Sequence, residues 1–109
     1  MTKITKFNNI ELKHSFNMDI DELKLIKNNS KKSIVKSFYL PIEKKEIGIY
    51  NIDTNRIEII VKIGMILDLT NMHPADLELI FDEANITNEF RKYYPCNYLY
   101  TVDSWQPVQ

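Results

Sequence analysis

Residues 57–69 read Ile-Glu-Ile-Ile-Val-Lys-Ile-Gly-Met-Ile-Leu-Asp-Leu, and this stretch decides the fold. Positions 57, 59, 61, 63, 65, 67 and 69 are all apolar, while Glu58, Lys62 and Asp68 punctuate the other register. A period of two over so many residues is the mark of a strand, and its length asks for neighbours on both sides. The spacing therefore predicts a long central strand, bent at Gly64, with its odd-numbered face wholly against the core. Upstream, residues 46–52 and the turn Asp53-Thr54-Asn55 supply a hairpin partner.

Working outward, Ile10, Leu12, His14 and Phe16 alternate with Glu11, Lys13 and Ser15, which predicts one half-buried strand. Asn8-Asn9 turns a short strand over residues 4–7 back onto it. A helix follows, capped by Asn17 or Asp19, with Ile20, Leu23, Ile26 and Lys27 on its inner stripe and Asn28-Asn29-Ser30 as its stop. Residues 33–40 are β-branched and aromatic and end at Pro41, so they are assigned to a strand. Pro74 opens an amphipathic helix whose inner face is Leu77, Ile80, Phe81 and Ala84. A short helix over residues 87–93 stops before Pro95. A last strand spans residues 96–102, and residues 103–109 are expected to be an irregular tail. The expected fold class is α+β: a mainly antiparallel sheet of about five to six strands with two to three helices on one face, in a single domain over residues 1–109.

Charge is divided unevenly along the chain. Residues 1–62 hold 12 Lys and Arg against 8 Asp and Glu, a net of +4, whereas residues 63–109 hold 2 against 7, a net of −5. Between Lys62 and Arg91 there is no cation, yet Asp68, Asp76, Glu78, Asp82, Glu83 and Glu89 all fall there. A chain neutral overall but polar by halves suits recognition of a charged surface. Hydrophobic content of 44% supports a real core. With one cysteine, Cys96, the chain forms no internal disulfide, which fits a reducing, cytoplasmic setting. Residues 1–9 lack the apolar run of a secretion signal. Gly48 and Gly64 are the only glycines, too few for a phosphate-cradling loop, so no nucleotide cofactor is expected.

Three constellations are candidates for function. The outer half of the second long helix carries Asp76, Glu78, Asp82 and Glu83 around Leu79, an apolar anchor inside an electrostatic rim. Asp68 is its nearest acidic neighbour upstream. The same acids also suit an ordinary solvated face and a helix dipole. Tyr93, Tyr94, Tyr98, Tyr100 and Trp105 crowd into 13 residues, and Tyr98, Tyr100 and Trp105 are candidate contact residues. Tyr98 and Tyr100 equally fit a core, since they share a strand face with Cys96 and Val102. Lys31, Lys32, Lys36, Lys44 and Lys45 beside Phe38 and Tyr39 could bind single-stranded nucleic acid, or could simply solubilise an edge strand.

Catalytic signals are weak. Two histidines and one cysteine stand at no metal-like spacing, and a triad of Cys96, His73 and Asp68 is one that any chain with those residues permits. The expectation is a non-enzymatic protein without metal or cofactor, a monomer or weak dimer, that binds a basic protein through its acidic surface. In size and character it resembles the small cytoplasmic immunity proteins of bacterial toxin systems, although no motif carries the likeness. That resemblance implies a partner such as a nuclease toxin with a basic active site. The rival readings are a phage or plasmid accessory protein that contacts nucleic acid through its lysines, and a homo-oligomer in which residues 57–69 or 33–40 pair with a second copy.

Overall fold

A computed structural model describes residues 5–7, 10–12 and 15–108, with side chains from residue 15 onward. The elements run β1 (Thr5–Phe7), β2 (Ile10–Leu12), β3 (Ser15–Met18), α1 (Ile20–Lys27), β4 (Ser33–Lys36), β5 (Glu46–Asn51), β6 (Arg56–Asp68), α2 (Pro74–Glu83), α3 (Asn88–Tyr93) and β7 (Tyr98–Pro107). The fold is α+β. A five-stranded sheet has the order β3-β5-β6-β7-β4, with β3 parallel to β5 and every other pair antiparallel, and β1 and β2 form a separate ribbon. The single strand expected over residues 10–16 is thus divided between two sheets. His14 lies outside the described residues.

The 13-residue β6 is central, as expected, but it does not keep one face to one core. Ile59, Val61 and Ile63 enter the first core, Met65 is 55% exposed, and Leu67 and Leu69 join a second core on the opposite side. The cause is a pair of compensating bulges. Lys62 pairs with Ser104 and Ile63 with Val102, so Asp103 is an extra residue on β7. Ile63 pairs with Val102 and Ile66 with Tyr100, so the extra residue is then on β6, at Gly64-Met65. Each extra residue reverses the side-chain alternation. A Cβ on Gly64 would stand 2.6 Å from Thr101 Oγ1 and 2.9 Å from Asp103 Cγ, so glycine is what admits the crossing of these side chains. Met65 N–H donates to Thr101 Oγ1 at 2.8 Å, replacing the ladder bond that the bulge removes.

The phase change lets one sheet serve two cores. Phe16, Ile34, Ile49 and Tyr100 lie on the first face with Leu23 and Ile26 of α1. Val35 and Leu99, the sequence neighbours of Ile34 and Tyr100, lie on the other with Phe81 and Ala84. The helices therefore cover both faces, α1 one and α2 with α3 the other, rather than the single face expected. Asp19 caps α1 by accepting from Glu22 N–H at 2.8 Å, and Asn29 at φ 63° closes it, with Ser30 N–H donating to Leu25 O at 2.9 Å.

On the first face the sheet curls enough to bring its edges together. Lys36 Nζ, from edge strand β4, donates to Asn17 O of edge strand β3 at 3.0 Å and lies 5.3 Å from the centre of the Phe16 ring. Burial pushes the Lys36 pKa below its ordinary value, and Glu22 partly restores it. The Tyr100 hydroxyl accepts from Leu40 N–H at 3.0 Å and donates to Phe38 O at 2.5 Å, fastening the β4–β5 connection. Residues 103–107, expected to be irregular, continue β7: a strand as long as β6 needs a partner along its length, and Val61 pairs with Trp105. Residues 37–40, expected to be strand, leave the sheet after Lys36.

Candidate partner-binding surface

The helix α2 is specified locally at both ends. His73 caps it by accepting from Ala75 N–H on Nδ1 at 3.1 Å, and Pro74 at the first position gives up no needed donor. At the other end Asn85 adopts φ 58° while Asn85 N–H donates to Asp82 O and Ile86 N–H to Phe81 O at 2.8 Å. That is a Schellman closure, with buried Ile86 and Phe81 in the same core. The inner face is the one read from the periodicity: Phe81 and Ala84 buried, Leu77 and Ile80 half-buried. Burying Phe81 alone contributes about 1.5–3 kcal/mol.

The outward face then follows from helical geometry. Asp76, Glu78, Leu79, Asp82 and Glu83 are all exposed, and Leu79 is 64% exposed, the most of any aliphatic side chain among the described large hydrophobics. Arg91 of α3 answers one of these acids: its Nη1 lies 3.3 Å from Glu78 Oε1, and its guanidinium stacks over the Phe81 ring at 4.5 Å. Arg91 also donates to Asn88 Oδ1, while its buried Nε has no partner. Asp76, Asp82 and Glu83 have no ion-pair partner among the described residues. The surface so built is a leucine flanked by unneutralised carboxylates on a rigid helix.

The other candidate residues lie elsewhere. Asp68 pairs with Tyr98 in register, and Tyr98 with Lys36, so all three lie on the first face of the sheet, away from α2. Bonds from the Thr70 hydroxyl at 2.6 Å and the Thr70 N–H at 2.9 Å hold the Asp68 carboxyl below the usual carboxylate range. Tyr100 is wholly buried, which corrects its assignment as a contact residue: it is core. Trp105 packs against the same core, and its Nε1 donates to Asn29 Oδ1 at 3.3 Å, so it fastens the end of β7 to the turn after α1. Tyr98 meets the Tyr39 ring at a tilt of 59°, ring centres 5.6 Å apart. The structure thus brings Asp76, Glu78, Leu79, Asp82 and Glu83 together and separates them from Asp68, Tyr98, Tyr100 and Trp105.

The lysine cluster is similarly divided. Lys31 is 8% exposed and pairs with Glu22 Oε1 at 2.9 Å, and Lys36 closes the seam between sheet edges. Only Lys32, Lys44 and Lys45 are exposed. Cys96 is half-buried against the second core, and burial pushes its thiol pKa up. No group of three His, Cys, Asp or Glu side chains that could hold a metal ion occurs among the described residues, and no helix among them is long and apolar enough to cross a membrane. β5 pairs with β6 from Arg56 to Lys62 and β7 pairs with it from Ile59 to Asp68, so most of the β6 backbone is already taken by strands of the same chain.

Two participants escaped the sequence reading. Arg91 pairs across two helices, and only its i+3 spacing from Asn88 is a local signal. A groove beside Glu83, lined in part by Lys32, Leu67, Ile80 and Leu99, joins residues of three elements and the β4 approach. No family model, curated protein or solved structure matches this chain.

Proposed function

We propose that the protein is a non-enzymatic inhibitor that covers a basic surface of a partner protein with the outward face of α2, as an immunity protein covers the active site of a nuclease toxin. The observation that carries this reading is the α2 surface: Asp76, Asp82 and Glu83 exposed and unpaired around the exposed Leu79. In such a complex the carboxylates occupy the positions that substrate phosphates would take, and Leu79 supplies apolar burial at their centre. Charge of one sign on one face speeds encounter with a cationic partner and loses its effect as salt screens it. The engagement of Lys31 and Lys36 with internal partners weakens the nucleic-acid reading by comparison. The test is capture of partners from the native host after nuclease treatment, washed at low and high salt. A stoichiometric basic protein, released by salt and lost with Asp82→Lys/Glu83→Lys, supports the proposal. Nucleic acid as the sole bound species in an untreated control overturns it.

A further inference from the structure

Between the C-terminal half of α2 and the sheet runs an open groove of about 260 Å³. Sheet register builds its floor: Ser33 pairs with Thr101, Val35 with Leu99, and Leu99 with Leu67, so these rows face α2. Leu67 and Leu99 form an apolar bottom, Ile80 of α2 forms one wall, and Lys32 with Ser33 forms the opposite rim. Glu83 stands at the α2 rim. Neither Lys32 nor Glu83 has an ion-pair partner among the described residues. The groove is therefore apolar below and oppositely charged at its two rims. Through Glu83 it is continuous with the acidic face of α2.

We propose that this groove receives one apolar side chain from an extended segment of the basic partner, a segment in which that side chain lies between a cation and a carboxylate. The cation meets Glu83 and the carboxylate meets Lys32. The inference rests on the reading of the α2 face as the partner surface. Shape supports a side chain over a small-molecule ligand, because the groove is open to solvent whereas small-molecule pockets enclose most of their ligand. Charge supports a partner segment whose cationic end lies toward α2, since Asp82 and Glu83 are adjacent there and Lys32 is the exposed cation at the other rim.

The test uses the full chain, isotopically labelled, and two end-capped tetrapeptides, Lys-Lys-Leu-Glu and Lys-Lys-Ser-Glu, followed by NMR. The leucine peptide is expected to shift the methyl signals of Leu67, Ile80 and Leu99 together with the Glu83 amide, and to bind at least tenfold tighter than the serine peptide. Ser33→Phe, which fills the groove from β4, is expected to abolish the methyl shifts while the Asp76 and Asp82 amides still move. Equal binding of the two peptides, or α2 amide shifts without movement of the three methyl groups, overturns the groove and leaves the α2 surface standing. Silence of the α2 amides with both peptides overturns the reading on which the inference rests.

Discussion

Substituting Gly64 by alanine tests the device that lets one strand serve two cores. The added Cβ would stand 2.6 Å from Thr101 Oγ1, well inside contact distance, and would also meet the Asp103 carboxylate. Asp103 is exposed and swings aside at little cost, but Thr101 is held by its bond from Met65 N–H. Breaking that bond costs about 1 kcal/mol, and displacing Thr101 from its rotamer about 0.5–1.5 kcal/mol. Loss of glycine's freedom in the unfolded chain returns about 0.4–1 kcal/mol. Gly64→Ala should therefore destabilise the protein by about 1 kcal/mol, and Thr101→Ala by a similar amount. In the double variant both the obstacle and the bond are already gone while the gain from replacing glycine remains, so the pair should cost less than either single variant, about 0–0.6 kcal/mol. Urea unfolding followed by fluorescence of Trp105, the only tryptophan, reads all four corners of the cycle. Additive costs summing to about 2 kcal/mol would refute the claim that the Thr101 hydroxyl occupies the space glycine leaves.

Tyr100→Phe removes the hydroxyl that bonds Leu40 N–H and Phe38 O, and a loss of about 1–2 kcal/mol, visible as a lower Tm, is expected. The Glu58 carboxyl is held below its ordinary 4.5 chiefly by the bond from Asn51 Nδ2 at 2.5 Å, with Lys27 and Arg56 adding to the effect. Its contribution is complete above pH 4.5 and is lost as pH falls through the depressed folded value, so Glu58→Gln should flatten the acid limb of a stability–pH curve. Arg91→Met keeps an apolar cover over Phe81 and removes the buried, unpartnered Nε, so stability should stay within about 1 kcal/mol of the parent. Because Glu78 is then unpaired, association with a basic partner should accelerate at low salt and not at high salt, as stopped-flow mixing would show.

What was legible in the sequence was what local chemistry determines. Pro74, the Leu77-Ile80-Phe81-Ala84 stripe and the exposed Leu79 define α2 without help from the rest of the chain, and Asp19 and Asn28-Asn29 do the same for α1. The strand character and central place of β6 were equally plain. Its change of phase was not, because the bulge at Gly64-Met65 is made jointly with Thr101 and Asp103 on a strand some 40 residues later. The tail around Trp105 looks irregular on composition and becomes strand because β6 offers it a partner. Tyr100 and Lys31 were misplaced for a related reason. A tyrosine or lysine is core or surface according to the distant group that satisfies it, here Phe38 O and Leu40 N–H for the first and Glu22 for the second.

The central claim is that α2 presents its carboxylates to a basic protein. Its most direct test is the affinity of Asp82→Lys/Glu83→Lys for the captured partner, measured at low and high salt beside Asp21→Lys on α1, which lies over the opposite face. The account predicts a loss of about 100-fold at low salt, roughly 2.7 kcal/mol, that narrows as salt rises, with Asp21→Lys close to the parent. Unchanged affinity in the double variant, or an equal loss in both proteins, would contradict it.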